Sequence, residues 1–364
     1  MSATDAARMP LWSMAAPLLA SGFLLADGFG LFGTDTTPLL VAAAVLLGAA
    51  VFAAVHHAEV LALRMGEPFG SILLAVAVTV IEVALIVSIL LSDAANSDTV
   101  ARDTVFSTIM IVLNGVIGLC LVMGGRRHHE QRFQIRGAAA ALSVLGTLAV
   151  FALVMPNFTT ATEGPYYVPL QLLVVGVASL GLYVVFVFVQ TIRHRDYFQE
   201  TSRDTSDMTQ RPPRQVAAIS AVLLVLALVA VVLLAKMLSP PLERAVRALS
   251  LPRAVVGVVI AAVVLLPESV AALRAALANR LQASINLALG SAVASIGLTI
   301  PTVALVSMLI DRPLLLGITP QNMVLLVLTL FVSALTFGTG RTTILHGAVH
   351  LAIFAIFLLI VIVP

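Results

Sequence analysis

Two glutamates lie inside stretches that are otherwise almost wholly apolar, and they are the residues best placed to do chemistry. Glu82 follows the run 73–81, and Glu268 follows the run 263–267. Burying a carboxylate in a bilayer costs at least about 2.5 to 3.5 kcal/mol on insertion scales, so acids at such positions are functional by default. Because a carboxylate binds cations and protons, the pair predicts reversible cation and proton binding. The alternative is that two protonated acids merely hold helices together.

Small and hydroxyl-bearing residues follow each glutamate, in the segments 103–115 and 286–301. Helices of this composition can break where they line a cavity, and their carbonyl and hydroxyl oxygens then become cation ligands. The alternative is close helix packing through small side chains. The candidate accessory ligands are Ser107, Asn114, Ser291 and Ser295.

The elements that must position these residues are membrane-spanning helices. Of 364 residues, 60% are hydrophobic and 10% are charged, whereas a soluble domain has about 25% charged residues. The mean hydropathy is +1.09, so lipid must surround most of the chain. Apolar runs of about 20 residues predict an all-α polytopic membrane protein with eleven transmembrane helices. They are predicted near 12–32, 37–61, 69–92, 104–124, 136–156, 167–192, 215–237, 253–276, 282–310, 320–339 and 342–363.

The number of spans on either side of a polar linker also predicts an internal repeat. A polar stretch after the sixth span reads as a linker, with five spans on either side once the first is set aside. A unit with an odd number of spans inserts its second copy upside down, as is usual in secondary transporters. The glutamates fall in the second span of each unit, so inversion would bring them together near the midplane. The predicted domains are an N-terminal helix (1–36), a first repeat (37–192), a cytoplasmic linker (193–214) and a second repeat (215–364).

Charge predicts the orientation. With a cytoplasmic N-terminus, six of the twenty Lys and Arg residues lie outside and fourteen inside, which satisfies the positive-inside rule. The six are Arg102, Lys236, Arg244, Arg247, Arg253 and Arg312. Short loops favour a bacterial inner (plasma) membrane.

Other motifs are weaker. His346 and His350 are four residues apart, a spacing that could bind zinc, but Gly347 stands where a metalloprotease has its glutamate. His56 and His57 lie near the predicted cytoplasmic end of the second span, as a proton or ion vestibule or as a solvated helix end. A single cysteine, Cys120, excludes disulfide scaffolds. No P-loop appears, so ATP-driven pumping is unsupported.

Several stretches resemble the calcium/proton exchanger family, in the ChaA-like bacterial branch of the calcium/cation antiporter superfamily. They are His56-His57-Ala58-Glu59-Val60, Gly66-Glu67-Pro68-Phe69-Gly70, Val78 to Ile86, Leu266-Pro267-Glu268-Ser269 and Leu289 to Pro301. Many family members carry Asn three residues before the first glutamate, where this chain has Thr79. The corresponding position of the second half is Leu265. The resemblance therefore implies a thinner oxygen shell than in eukaryotic-type exchangers.

The resemblance implies antiport of Ca²⁺, as substrate, for H⁺, as counter-ion, with Glu82 and Glu268 as shared sites and no cofactor or catalytic residue. Ca²⁺ takes six to eight oxygen ligands, and two carboxylates would offset its charge. Na⁺ or K⁺ in place of Ca²⁺ is an alternative. Two alternatives belong to other classes of protein: an intramembrane metalloenzyme that uses His346 and His350, and a passive channel. The expected partners are these cations, protons and the lipid bilayer, without nucleic acid; an oligomer is left unspecified.

Overall fold

The structure is a computed structural model that describes residues 9–30, 36–66, 69–90, 97–198 and 211–363. The α-helices are α1 (Leu11–Gly28), α2 (Thr37–Met65), α3 (Phe69–Leu90), α4 (Val100–Met110), α5 (Ile117–His128), α6 (Ile135–Ala149), α7 (Pro169–Phe188), α8 (Arg214–Ala248), α9 (Ala254–Leu277), α10 (Leu281–Leu309), α11 (Pro320–Gly338) and α12 (Ile344–Ile362). Two short strands are β1 (Gln131–Arg132) and β2 (Arg341–Thr342).

Non-α turns extend or join several of these helices. The π-helical turns are Ile111–Val116, Val150–Val154 and Val189–Arg193, and the 3-10 turns are Ser97–Thr99, Met155–Phe158 and Arg195–Tyr197. The turn Ile111–Val116 joins α4 to α5 in a single span, Val100–His128. Within the described residues, eleven helical spans are long and apolar enough to cross a membrane, which confirms the predicted count.

Two details of the spans differ from our predictions. We predicted that the seventh span would end near residue 237, but α8 continues through Pro240 and Pro241 to Ala248. Each proline removes one helical N–H donor, and membrane helices tolerate this where local groups compensate. We also considered that the ninth span could break, yet α10 is a continuous helix through Pro301.

Some predicted features lie outside the described residues. The linker 193–214 is described at its two ends only, because residues 199–210 fall outside the described ranges, as do Arg8 and Glu67. At the C-terminal end of the linker, Arg64 of α2 donates a hydrogen bond to the carbonyl oxygen of Pro212 (2.5 Å).

The helices form two compact units. The first contains α1, α2, α3 and α8. In it α2 packs against the other three helices, and its buried face is rich in alanine, with Ala50, Ala53, Ala54 and Ala58 fully buried. The N-terminal helix is tied to this face because His57 Nε2 donates to the carbonyl oxygen of Ser13 (2.9 Å).

The second unit contains α4 to α7 and α9 to α12. In this unit the third span of each predicted repeat packs against the fifth span of the other, as α5 against α12 and α10 against α7. The two fourth spans, α6 and α11, also pack together. The compact units group helices by packing, whereas the predicted domains divide the sequence. The domain boundaries therefore stay a prediction.

Loops at the two ends of the second unit repeat the same pattern. Strand β1, between the third and fourth spans of the first repeat, pairs antiparallel with β2, between the fourth and fifth spans of the second. At another point Tyr166, between the fourth and fifth spans of the first repeat, forms an antiparallel bridge with Leu315, between the third and fourth spans of the second. In both pairings a loop that follows the third span of one repeat meets a loop that follows the fourth span of the other repeat. An inverted repeat requires this exchange of corresponding loops.

Candidate cation site

Glu82 lies near the middle of α3, in the first unit, and only 1% of it is exposed. The apolar residues around it in the sequence, Ile81, Leu85 and Ile86, are also buried. Thr79, one turn earlier on the same side of the helix, is 7% exposed. The carboxyl group is therefore held inside the protein in a mainly apolar stretch of helix, with one hydroxyl group at the position three residues before it.

Glu268 lies in the second half of α9, in the second unit, and is 8% exposed. Pro267 precedes it inside the helix. Because proline has no N–H, the carbonyl oxygen of Val263 loses its helical donor. The hydroxyl group of Ser269 donates to the carbonyl oxygen of Leu265 (2.6 Å). The helix around Glu268 thus supplies a carbonyl oxygen that a regular helix would have used internally.

The four accessory candidates lie on helices that pack together with the helix of Glu268. Helix α9 packs against α4, the π-helical turn, α5 and α10, and α10 packs against α4 and the same turn. Ser107, Asn114 and Ser295 are buried, and Ser291 is half-buried. The fold therefore brings Glu268 and its four predicted accessory residues onto neighbouring helices of one unit. Glu82 belongs to the other unit, and the meeting of the two carboxylates stays a prediction.

Two of these accessory residues have defined partners. Ser107 donates to the carbonyl oxygen of Asp103, one turn earlier (2.6 Å). Asn114 Nδ2 donates to Thr329 Oγ1 (2.9 Å), and Asn114 Oδ1 lies 3.0 Å from His350 Nδ1. Sequence reasoning missed Thr329. The signal was present, because Thr329, Ser333 and Thr336 share one side of an apolar helix at helical spacing, and all three are buried.

The histidine pair of α12 divides between two environments. His350 is fully buried, with Nδ1 at Asn114 and Nε2 3.1 Å from Thr336 Oγ1. His346 is half-buried at the start of the helix, where its Nδ1 accepts from the backbone N–H of Thr343 (3.3 Å). A zinc ion on this pair would have to displace a bond of His350. Among the described residues, no group of three or more His, Cys, Asp or Glu side chains is placed to hold a metal ion.

A partly buried ion pair lies at the start of the fourth span. Arg102 Nε and Asp103 Oδ1 are 2.8 Å apart, and Arg102 also donates to the carbonyl oxygen of Gly317 (3.3 Å). In the loop before α7, Tyr167 donates to the carbonyl oxygen of Phe151 (2.6 Å), and burial raises the pKa of its hydroxyl to about 12. Sequence reasoning placed Arg102 in an outside segment and did not find its pairing with Asp103, since neighbouring opposite charges carry no signal of burial.

Comparison with known proteins decides the family. The model of the family described as sodium/calcium exchanger protein matches residues 36–192 and 219–363. The chain belongs to this family. The resemblance to the calcium/cation antiporter superfamily is thereby confirmed, and the family is one of transporters.

Two relatives match over nearly their whole length. The chain is 57% identical over 359 residues to a protein of Sinorhizobium fredii described as putative ionic transporter y4hA, with 98% of each chain covered. It is 34% identical over 361 residues to the sodium-potassium/proton antiporter ChaA of Escherichia coli, with 95% of each covered.

Solved structures share the fold. Native YfkE superimposes with a TM-score of 0.74 at 18% identity, covering 95% of this chain and 99% of that one. The H⁺/Ca²⁺ exchanger CAX gives a TM-score of 0.69 at 15% identity, covering 95% of this chain and 87% of that one. The predicted fold class, an all-α membrane protein with eleven spans in an exchanger architecture, is confirmed. The chain is a multi-pass membrane protein of a cation antiporter family.

Proposed function

We propose that this protein exchanges Ca²⁺ for H⁺ by alternating access, with Glu82 and Glu268 binding either the cation or protons. The observation that carries the proposal is the burial of both carboxyl groups, 1% and 8% exposed, near the middle of apolar spans. Such burial is costly unless a cation or a proton offsets the charge. Two carboxylates carry two negative charges, which one Ca²⁺ or two protons would neutralise.

Competition for the same two carboxyl groups would couple the fluxes. Ca²⁺ binding requires both groups ionised, and a proton on either group removes a negative charge that would attract the cation. The accessory oxygens we propose are Ser107, Asn114, Ser291 and Ser295. They are supported by their place on helices that pack with α9.

The setting we propose is the bacterial inner membrane, with the N-terminus in the cytoplasm. The support is the excess of basic residues in the segments that would face the cytoplasm. Relatives from Sinorhizobium fredii and Escherichia coli are consistent with a bacterial membrane.

A second candidate is exchange of Na⁺ or K⁺ for H⁺. It is favoured by the 34% identity to a protein described as a sodium-potassium/proton antiporter, over 95% of both chains. Leu265, one turn before Glu268, also offers no side-chain oxygen, and Thr79, one turn before Glu82, offers a hydroxyl oxygen in place of an amide carbonyl oxygen. A monovalent cation also needs less negative charge to offset it in a buried site than Ca²⁺ does.

Transport in everted membrane vesicles distinguishes the two candidates. A respiration-generated pH gradient is followed with a fluorescent amine while Ca²⁺, Na⁺ or K⁺ is added. We expect Ca²⁺ to dissipate the gradient at lower concentration than Na⁺ or K⁺, and we expect Glu82→Gln and Glu268→Gln each to abolish the response. Dissipation by Na⁺ or K⁺ alone would establish the second candidate.

The matched control is Glu163→Gln, which removes a carboxylate from an exposed loop position and should leave transport unchanged. Full cation-dependent proton movement in either buried-glutamate variant would overturn the assignment of the site. Cation flux without proton movement would indicate a channel.

A further inference from the structure

The side chain of Asn114 is held at both ends by residues that the proposed function does not use. Its Nδ2 donates to Thr329 Oγ1 (2.9 Å), and Thr329 Oγ1 in turn donates to Met110 Sδ (3.5 Å). Its Oδ1 lies 3.0 Å from His350 Nδ1. All of these residues belong to the second unit. Asn114 and Thr329 are fully buried, as is His350. The amide is therefore anchored by α11 on one side and by α12 on the other.

The direction of each hydrogen bond follows from chemistry. A thioether sulfur and an amide oxygen only accept, so Thr329 donates to Met110 and accepts from the amide nitrogen. That leaves Asn114 Oδ1 facing His350, whose Nδ1 must carry the hydrogen and donate. His350 Nε2, 3.1 Å from Thr336 Oγ1, then accepts from that hydroxyl group in the neutral ring. With these donors and acceptors, the Asn114 amide has its nitrogen toward Thr329 and its oxygen toward His350.

Glycine residues in α5 and α12 let these helices lie close together, which places His350 next to Asn114. A Cβ atom on Gly347 would lie 2.7 Å from the carbonyl oxygen of Gly118 and from the backbone nitrogen of Val122. A Cβ atom on Gly118 would lie 3.1 Å from the Cβ atom of His350. Glycine at these positions lets α5 and α12 approach closely. Asn114 itself lies in the π-helical turn Ile111–Val116, and such turns occur frequently at functional sites.

We propose that His350 is a positioning residue, which orients the amide of Asn114 so that its oxygen serves the transported cation. This inference rests on the proposed function, in which Asn114 is an accessory ligand. An amide oxygen has two lone pairs, so one can accept from His350 while the other faces the cation. Without His350 the amide can turn, and its NH₂ group would then face a positive ion. Partners that orient a ligand in this way typically change metal affinity by 10- to 100-fold.

Two polar substitutions of His350 provide the test. In His350→Asn the side-chain NH₂ stands where Nδ1 stood, whereas His350→Gln places its amide near the position of Nε2. We expect His350→Gln to raise the KM for the cation about 10-fold or more with a maximal rate close to wild type. His350→Asn should stay within about threefold of wild type, because a donor to Asn114 remains. A residue needed only for packing would give the same result for both.

Matched variants separate orientation from general damage. His346→Gln changes the other histidine of α12 and should leave the KM unchanged. Thr329→Val removes the second anchor of the amide with little change of shape and should raise the KM as His350→Gln does, which repeats the test if His350→Gln fails to fold. In an Asn114→Ala background His350→Gln should add no further rise, because both changes act through one ligand.

Three results would overturn the inference: an unchanged KM in His350→Gln, equal KM values in His350→Gln and His350→Asn, or additive effects with Asn114→Ala. The proposed function is tested separately by Glu82→Gln in the same vesicles. If that variant still exchanges cations for protons, the proposed function fails. The coupling between Asn114 and His350 is read from the KM values in either case.

Discussion

The two glutamate-bearing helices occupy matching places in the predicted repeats but differ in their surroundings. In α3 no proline interrupts the helix near Glu82, and the position one turn earlier is the hydroxyl residue Thr79. In α9 Pro267 directly precedes Glu268, and the position one turn earlier is Leu265. The helix of Glu82 therefore carries a side-chain hydroxyl near the carboxyl group, whereas the helix of Glu268 carries the Val263 carbonyl oxygen that Pro267 leaves without its helical donor.

The third spans differ in a similar way. The span of Asn114 contains a π-helical turn and packs against α12 through Gly118 and Gly347, whereas α10 is continuous and packs against Tyr183 of α7 through Gly297. An inverted repeat thus conserves which spans meet while local chemistry diverges. We expect the two glutamates to contribute unequally to cation binding.

Shortening each carboxylate should give the largest contrast. Glu82→Asp and Glu268→Asp keep the charge but withdraw it by one methylene group, and a misplacement of about 1 Å can cost about 100-fold in a transport rate that depends on geometry. We expect the larger loss in Glu82→Asp, because the backbone carbonyl oxygen that Pro267 leaves without a donor in α9 has no counterpart in α3. Vesicle transport at saturating and limiting cation measures this. Equal losses would remove the asymmetry.

Restoring the backbone donor in α9 should have the next largest effect. Pro267→Ala returns an N–H to the Val263 carbonyl oxygen, and we expect the KM for the cation to rise about fivefold, as for the loss of one ligand of about 1 kcal/mol. Thermal stability in detergent should stay equal or increase, because alanine is about 3 kcal/mol better than proline inside a helix. Ile81→Val, at the matching place in α3, is the control. A fall in stability together with transport would indicate a structural role for Pro267.

Adding an amide beside each glutamate should shift selectivity by a smaller amount. Thr79→Asn replaces a hydroxyl oxygen with an amide carbonyl oxygen one turn before Glu82, and Asn carbonyl oxygens are among the ligands that Ca²⁺ takes in proteins. We expect the KM for Ca²⁺ to fall about two- to fivefold, with little change for the monovalent ions. Leu265→Asn adds a carbonyl oxygen at the corresponding position of α9, where the leucine side chain has none. If only one of the two variants shifts the selectivity, the oxygen shell is incomplete beside the glutamate of that helix.

Filling the glycine contacts should have the smallest effect on transport and a clear effect on stability. Gly347→Ala and Gly297→Ala place a Cβ atom 2.7 Å from atoms of the facing helix, and overpacking of this kind costs about 1–3 kcal/mol. Gly290→Ala has no atom within 4 Å and serves as the control. Thermal unfolding in detergent should show a loss for the first two only. A stable Gly347→Ala would show that α5 and α12 can separate without penalty.

Much of the fold could be predicted because the bilayer imposes simple rules. Every span that we predicted from hydropathy has a helical counterpart, and most ends agree closely, since a charge or turn residue marks them. The end of α8 was missed because Pro240 and Pro241 suggest a stop, although a helix can continue past proline when packing holds it. The π-helical turn at Ile111–Val116 was missed because its sequence is as apolar as that of the helix on either side.

The sequence by itself determined the membrane class and the number of spans, and it predicted Glu82 and Glu268 as cation ligands, because charge in an apolar span is visible one residue at a time. Only the tertiary structure decided that Asn114 is held between Thr329 and His350, and that Arg102 and Asp103 form a partly buried pair. Asn114 and His350 are 236 residues apart. Contacts between helices depend on which faces meet, and composition and periodicity within a single span do not encode that choice.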